Sequence, residues 1–213
     1  NRPRLYWAIC AAQALGGIPV PMYQDAVASE MAYPIQNSEM AFAVVEDQEH
    51  VDKLLEILPQ CPSLKRICYD EPRGMRHYTQ QQLMDYEKLT ALGDDYDQAH
   101  PDFYAAEVAK GSGADTASMF FTSGTTGHPK GVVLTHTALI DSALAAAKME
   151  GLNETDEVLA YLPPAWIGQN IFSYAQPYVT GYCICCPESS ETVMSDMREI
   201  GPTYYFAPPR VLE

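Results

Sequence analysis

Short apolar runs alternate with helix-length segments along this chain of 213 residues, and this alternation restricts the fold more than any other feature. The runs are rich in Ala, Val, Ile, Phe, Tyr and Cys and are bounded by turn residues, as buried strands are. Alternating strands and helices are typical of an α/β fold, in which helices cover the faces of a mostly parallel sheet. We therefore predict an α/β fold with mainly parallel sheets flanked by helices.

Local signals set the predicted boundaries. Gly16 and Gly17 end the first helix, Ser29 is read as the N-cap of the second, and Pro177 is expected to end the seventh. Two prolines place the first strand at an edge, whereas "AFAVV" is expected to be a buried strand. The predicted helices cover residues 4–15, 29–36, 49–58, 80–89, 103–110, 137–149, 168–178 and 192–200. The predicted strands cover residues 18–22, 41–45, 66–69, 117–121, 131–134, 157–161, 182–186 and 203–206.

The charge balance argues against a nucleic-acid partner. Thirteen Lys and Arg residues face 28 Asp and Glu residues, which gives a formal net charge of −15. A broad acidic surface repels a phosphate backbone. Any phosphate that the chain binds must therefore be held locally, by backbone amides and a few cations.

Two groups of side chains have the composition of metal sites, but we interpret both differently. Cys183 and Cys186 form a C-x-x-C spacing inside an apolar run with no second pair beside it, so we expect buried free thiols. Six free cysteines suit a reducing cytoplasm. Asp94, Asp95 and Asp97 are expected to form a solvated turn rather than a cation site.

Residues 121–136, "FTSGTTGHPKGVVLTH", place three glycines, one lysine and the four hydroxyls of Thr122, Ser123, Thr125 and Thr126 between two apolar runs. Glycines allow consecutive backbone amides to point into one cavity, where they bind an anion. The hydroxyls add donors, Pro129 stiffens the turn, and Lys130 adds a full positive charge. The composition therefore predicts a phosphate-binding loop.

This loop differs from the familiar nucleotide motifs. Four residues after Gly124 stand Pro129, Lys130 and Gly131, whereas the P-loop requires Gly-Lys-Ser/Thr at that place. No G-x-G-x-x-G fingerprint occurs either. Because an apolar strand-like run follows Lys130, we expect the loop to join two strands, so that no helix dipole points at the phosphate.

The stretch "FFTSGTTGHPKGVVLTH" resembles the signature phosphate loop of the adenylate-forming superfamily, which includes acyl-CoA synthetases, peptide-synthetase adenylation domains and luciferases. Three further segments agree with that family in order: "AQALGGIPVPMYQDA", "LAYLPPAWIGQ" and "EIGPTYYFAPPRVLE". The last of these resembles long-chain fatty acyl-CoA synthetases in particular. The resemblance covers the whole chain and an internal part of the large N-terminal domain of the family.

The resemblance implies a reaction and a set of residues. The family uses ATP and Mg²⁺ to join a carboxylate to AMP, releases pyrophosphate, and passes the acyl group to a thiol, usually that of coenzyme A. The implied carboxylate is that of a fatty acid. Lys130 is implied as the catalytic cation, without a general-base role. The residues that match the phosphate loop are Thr122, Ser123, Gly124, Thr125, Thr126, Gly127 and Lys130.

Two further positions take their interpretation from the resemblance. Trp166 stands where many members of the family carry His, and its ring either lines an apolar acyl pocket or packs in the core. We keep both readings for Trp166. His136 matches a common position before the next helix, where we expect it to cap the helix rather than take part in catalysis.

Several parts of the family pattern are missing from these residues. They include the Tyr-Gly-x-Thr-Glu motif whose Glu holds magnesium, the ribose-binding Asp motif and the C-terminal domain with its Lys. The resemblance therefore implies that residues 1–213 are a partial N-terminal AMP-binding domain, with its phosphate loop at 121–131, and that they are inactive alone. Two alternatives stay open: an adenylating enzyme for an amino or aryl acid, and a truncated nucleotide-binding module without catalysis.

No stretch of the sequence predicts a transmembrane helix or a secretory signal. A fatty acid substrate is compatible with peripheral membrane contact, although no basic amphipathic helix supports it.

Overall fold

The computed structural model describes residues 1–122 and 129–207, and their architecture is mixed α/β, as predicted. The helices are α1 Pro3–Ala14, α2 Ala28–Asn37, α3 Gln48–Ile57, α4 Tyr86–Ala99, α5 Phe103–Val108, α6 His136–Glu150, α7 Ile167–Asn170, α8 Gln176–Thr180 and α9 Val193–Ile200. The strands are β1 Phe42–Val45, β2 Arg66–Tyr69, β3 Leu83–Asp85, β4 Thr116–Thr122, β5 Lys130–Thr135, β6 Glu157–Leu159 and β7 Cys183–Cys185.

The first sheet is parallel and has the order β1–β2–β3, with Val44 opposite Cys68 and Cys68 opposite Met84. Helix α3 crosses from β1 to β2 and begins at Asp47, whose carboxylate accepts a hydrogen bond from the amide of His50 at 3.3 Å. The apolar faces of α2 and α3 pack on this sheet and form the main core. Its most deeply buried side chains are Ile35, Val51, Leu54, Ile57, Cys61 and Ile67.

Ion pairs hold helix α1 at the carboxyl ends of these strands. Arg2 pairs with Glu46 after β1 at 3.0 Å, and Arg4 pairs with Asp70 after β2 and with Glu87 in α4. The helix starts with Pro3, which is favoured in a first turn because its missing N–H would have no partner there. The first two turns of α1 are therefore fixed to the first sheet.

Two smaller sheets follow. Strands β4 and β5 form an antiparallel hairpin, and strands β6 and β7 pair in parallel. Helix α7, one π-helical turn at Ile171–Ala175 and helix α8 run without a break between β6 and β7. Among the described residues, three of the four pairings between strands are parallel: β1–β2, β2–β3 and β6–β7. This agrees with the predicted fold class.

Three strand predictions need correction. Residues 18–22 form no strand, because Pro19 and Pro21 have no N–H to donate; only the Pro19 carbonyl bonds to β4, accepting from the Met119 amide at 3.0 Å. Residues 203–206 contribute a single bridge, between Tyr204 and Val158. Strand β1 is only partly buried, since Phe42 is 43% exposed.

Several helix predictions also need correction. The predicted helix at 80–89 is a strand followed by a helix, because Asp85 caps α4 by accepting from the Glu87 amide at 2.8 Å. Helix α2 starts at Ala28, with Val27 rather than Ser29 at the N-cap. Pro177 lies in the first turn of α8, where its missing N–H is tolerated, and does not end the helix.

The two groups that resemble metal sites differ from expectation in detail. The acidic residues Asp94, Asp95 and Asp97 lie exposed within α4 rather than in a turn. All six cysteines are free, but neither of the two thiols expected to be buried is so, since Cys183 is exposed and Cys186 is only half-buried. Within residues 1–122 and 129–207, no three His, Cys, Asp or Glu side chains are grouped to hold a metal ion. No helix of that same part is both long enough and apolar enough to cross a bilayer.

Candidate functional site

The open end of the β4–β5 hairpin brings two of the predicted phosphate-binding residues together. Thr122 ends β4, Lys130 begins β5, and the two are direct cross-strand partners. The Thr122 hydroxyl donates to the Lys130 carbonyl at 3.5 Å, and both residues are exposed. A hydroxyl donor and an ammonium group thus stand at the same edge of the hairpin, accessible to a ligand. The other predicted members of the loop, Ser123, Gly124, Thr125, Thr126 and Gly127, lie outside the described residues.

The loop joins two strands, as predicted, and the nearest helix has no amides to offer an anion. Helix α6 begins six residues after Lys130. Its first amides are already bonded: that of His136 donates to the Asp115 carbonyl at 3.1 Å and that of Thr137 to the Gly113 carbonyl at 2.9 Å. A Cβ on Gly113 would approach the Thr137 hydroxyl to 2.4 Å, so this close contact requires glycine. The first turn of α6 therefore has no free amide to offer an anion.

The capping role expected of His136 belongs to its neighbour. The Thr135 hydroxyl accepts a hydrogen bond from the Ala138 amide at 3.2 Å, and His136 is the first helical residue. A threonine before a helix is a recognised N-cap signal, and it was present in the sequence.

Trp166 lies at the start of α7 and is 37% exposed, so it is not an ordinary core residue. Its ring stacks on Phe206 with centroids 5.5 Å apart, and Phe206 stacks on Phe172 at 4.3 Å. The indole also lies over Gly168, where a Cβ would come within 2.2 Å of it. We call Trp166, Phe172 and Phe206 the aromatic stack; its half-open face offers apolar surface after the "LPPA" segment.

A buried network of polar groups links the distant segments of the site. The Tyr6 hydroxyl contacts Ser173 at 2.9 Å and Asn1 at 2.7 Å, while Asn1 donates to the Leu162 carbonyl at 2.8 Å. The Leu162 amide in turn donates to the Gln169 side chain at 3.3 Å. The network thereby holds α1, the segment before Trp166 and α7 in one arrangement.

A separate set of hydrogen bonds involves a residue that sequence reasoning missed. Gln13 donates to the Ala117 carbonyl in β4 at 2.7 Å and accepts from the Tyr174 hydroxyl. The signal in the sequence was a single neutral polar residue within the apolar run "AICAAQALGG". Four further polar residues that sequence reasoning missed are buried on helices α7 and α8 and the turn between them: Gln169, Asn170, Ser173 and Gln176.

Burial keeps the phenols of the site protonated. Desolvation raises the pKa of Tyr6 and Tyr182 well above the usual tyrosine range. Desolvation and the neighbouring Tyr205 also raise the pKa of Tyr161, whose hydroxyl donates to the Phe206 carbonyl at 2.9 Å. These groups act as hydrogen-bond donors across the physiological pH range.

Comparison with known proteins gives matches over the whole chain. A family model described as AMP-binding enzyme matches residues 1–213. The long-chain-fatty-acid–CoA ligase ACSBG2 of Xenopus laevis is 30% identical over 97% of this chain and 29% of its own length. The long-chain-fatty-acid–CoA ligase FadD15 of Mycobacterium bovis is 26% identical over 99% of this chain and 34% of its own length. The chain therefore spans about a third of the length of these relatives.

Solved structures share the fold. A long-chain-fatty-acid–CoA ligase (FadD1) from Archaeoglobus fulgidus superposes with a TM-score of 0.72 at 19% identity, over 100% of this chain and 39% of that protein. The anthranilate CoA ligase AuaEII in complex with anthranoyl-AMP superposes with the same TM-score and identity, over 94% of this chain and 37% of that protein.

Proposed function

The chain belongs to the AMP-binding enzyme family, and on that premise we propose that it serves an AMP-forming acid–thiol ligase that activates a fatty acid to its acyl-adenylate and then to acyl-CoA. We propose further that residues 1–213 are part of the large N-terminal domain of this ligase and require the family's other motifs for turnover. The proposal concerns the full-length protein, since the chain spans about a third of its relatives.

The observation that carries the proposal is the pairing of Thr122 with Lys130 at the open end of the hairpin. Adenylation brings two anions together, the carboxylate and the α-phosphate, and develops charge on the departing pyrophosphate. A positioned hydroxyl and a cation reduce that repulsion and stabilise the leaving group. Lys130 acts as this cation, and the Thr122 hydroxyl exchanges its bond to the Lys130 carbonyl for one to a β- or γ-phosphate oxygen, alongside residues 123–127.

ATP, Mg²⁺ and coenzyme A are the proposed small-molecule partners. The exposed hydroxyl and ammonium groups of the hairpin fit the phosphates of ATP. Mg²⁺ usually keeps several waters and is bound through substrate phosphates with one or two carboxylates. Because the described residues contain no grouped set of metal ligands, we assign no magnesium ligand here. Bound Mg²⁺ would supply charge neutralisation at the phosphates.

The fatty acid is proposed on two grounds. Both curated relatives are named long-chain-fatty-acid–CoA ligases, and the half-open aromatic stack at Trp166 offers apolar surface to an alkyl chain. Peripheral contact with a membrane would suit such a substrate. The six free thiols accord with a proposed location in the reducing cytoplasm.

Carboxylate-dependent exchange of radiolabelled pyrophosphate into ATP tests the proposal in the full-length protein. Medium- and long-chain fatty acids, amino acids and aryl acids are offered in parallel. Exchange with fatty acids alone is the expected result. Exchange with aryl or amino acids instead would keep the adenylation chemistry and replace the substrate class. ATP binding without exchange for any acid would support a non-catalytic nucleotide-binding module and overturn the proposal.

A further inference from the structure

Strand β4 carries one more residue than β5 can pair with. Thr116 lies opposite Thr135 and Ser118 lies opposite Leu134, so Ala117 between them has no cross-strand partner and forms a β-bulge. Ala117 is fully buried. A buried carbonyl at such a position needs a hydrogen-bond donor from elsewhere, because an unpaired one is costly.

Gln13 supplies that donor from α1. Its side-chain nitrogen donates to the Ala117 carbonyl at 2.7 Å, across 104 residues of sequence. The oxygen of the same amide accepts from the Tyr174 hydroxyl in the π-helical turn. Tyr174 is only 7% exposed, so packing fixes its hydroxyl. A side-chain amide is suited to this place because it donates and accepts at once.

A second bond from the same region holds β4 two residues further on. The Met119 amide donates to the Pro19 carbonyl at 3.0 Å. In an extended strand, the polar groups of residues 117 and 119 point to the same edge. Helix α1 and the segment after it therefore secure the edge of β4 at two points, three to five residues before Thr122.

We propose that Gln13 is a positioning residue for Thr122 at the phosphate end of β4, fixing the bulge of β4 while Tyr174 holds the Gln13 amide in place. The proposal rests on the proposed function, since β4 leads directly into the predicted loop. Tyr174 lies two residues after Phe172 of the aromatic stack.

The test uses isosteric variants of the full-length protein. Gln13→Met keeps the length of the side chain and removes both hydrogen bonds, and Tyr174→Phe keeps the ring and removes one. Gln36→Met is the matched control, because Gln36 also donates to a backbone carbonyl at 2.7 Å, that of Gln60, in a region remote from β4. For each variant, KM for ATP, KM for the fatty acid and kcat are measured by pyrophosphate exchange, and ATP affinity by calorimetry.

Gln13→Met is expected to raise KM and Kd for ATP about fivefold, the scale of one hydrogen bond between neutral groups. Tyr174→Phe should act in the same direction with a smaller effect. The double variant should be no worse than Gln13→Met alone, because both changes break one chain of bonds. KM for the fatty acid should stay within about twofold, and so should all constants of Gln36→Met.

A merely structural role gives a different result. Loss of folded protein would lower the apparent kcat and leave both KM values unchanged, and that outcome overturns the proposal. Amide hydrogen exchange of residues 116–122 provides an independent check: it should accelerate in Gln13→Met and stay unchanged in Gln36→Met. If the wild type binds ATP without exchanging pyrophosphate, the proposed function fails, while weaker ATP binding by Gln13→Met would still support the positioning role. Equal ATP affinity in the two proteins would refute it.

Discussion

The parallel sheet β1–β3 and the hairpin β4–β5 are built by opposite means. The first is packed by α2 and α3 around side chains that are almost completely buried, among them Ile35, Val51 and Ile67. The hairpin instead leaves Val132 42% and Val133 50% exposed. It is positioned by hydrogen bonds to the Ala117 carbonyl and the Met119 amide.

The difference separates stability from function in this molecule. Apolar burial is non-directional and stabilises the first sheet whatever its ligand state. Hydrogen bonds are directional, so they are suited to fix the place of a strand that we propose presents Thr122 and Lys130 to phosphates. We expect substitutions in the first region to change the free energy of unfolding, and substitutions in the second to change ligand affinity or rate.

The largest expected effect is the loss of stability caused by Leu54→Ala in α3, in the first region. Leu54 is 1% exposed, and truncating such a side chain costs about 2–5 kcal/mol of the free energy of unfolding. Urea denaturation measures the change, and ATP affinity of the folded fraction should stay the same. Leu92→Ala is the control, because Leu92 is 48% exposed in α4. A loss below about 1 kcal/mol would contradict the view that this core dominates stability.

Lys130→Ala is expected to do the reverse of Leu54→Ala: to lower the rate of adenylation and leave the free energy of unfolding nearly unchanged. Removing this exposed cation should slow adenylation about 10²-fold, the scale of one preorganised group that stabilises developing charge. Pyrophosphate exchange measures the rate, and the free energy of unfolding should change by less than about 0.5 kcal/mol. Lys148→Ala, an exposed lysine in the last turn of α6, should leave the rate unaltered. A decrease smaller than about threefold would remove Lys130 from its assigned role.

A smaller effect, confined to the first region, is expected from the cap of α3. Partial burial opposes ionisation of Asp47, but hydrogen bonds from the ring and amide of His50 outweigh it and lower the pKa of the carboxyl. A lowered folded-state pKa stabilises the protein above the unfolded pKa, and this contribution is lost as pH falls through the folded pKa. Asp47→Ala should cost about 1 kcal/mol at neutral pH.

The pH dependence provides the control for that change. The stability difference between the wild type and Asp47→Ala should shrink as pH falls below the ordinary aspartate value of 3.8. Asp47→Asn keeps a capping oxygen without the charge, and should retain most of the neutral-pH stability. A difference that is independent of pH would show that the Asp47 charge adds nothing.

Trp166→Ala should give the smallest change. It should alter the selectivity between fatty acids of different chain length rather than the rate of adenylation. Removing one ring of the aromatic stack alters the apolar surface offered to the acyl chain, so the kcat/KM ratio of a long to a medium fatty acid should shift about threefold or more. Steady-state kinetics with both acids measures the ratio. The other tryptophan, Trp7, is 59% exposed, and Trp7→Ala should leave the ratio unchanged. An unchanged preference in Trp166→Ala would argue for packing alone.

Sequence predicted the elements whose signals are local. Residues 66–69 were predicted with the observed bounds, and so were two strands joined by the Gly-rich stretch, although their antiparallel pairing was not predicted. The strand predicted at residues 18–22 was wrong. Its apolar character is typical of a strand, but strand pairing also needs N–H groups, which Pro19 and Pro21 lack. The helix predicted at residues 80–89 was wrong because a strand of three residues precedes the helix cap. Such a short strand gives no detectable periodicity.

The residues of the candidate site also differ in whether a local sequence signal identifies them. Thr122 and Lys130 were recognisable because they lie close in sequence within one motif. Gln13 was not recognisable, because its partners Ala117 and Tyr174 are more than a hundred residues away and no residue near Gln13 in the sequence indicates them. Local pattern identifies the groups that touch a ligand, while the groups that hold them in place emerge only from tertiary contact.

The bulge at Ala117 also bears on which changes of length this protein family can accept during evolution. Beyond the bulge, Ser118 and Phe120 face the interior while Met119 and Phe121 are half-buried. Deleting Ala117 would remove the extra residue and leave the pairs from Ser118–Leu134 to Thr122–Lys130 in register, whereas deleting one residue between 118 and 122 would turn the following side chains, including that of Thr122, to the opposite face. A change of length at the bulge should therefore leave the orientation of Thr122 unchanged, whereas one between residues 118 and 122, where a single codon sets that orientation, should be eliminated.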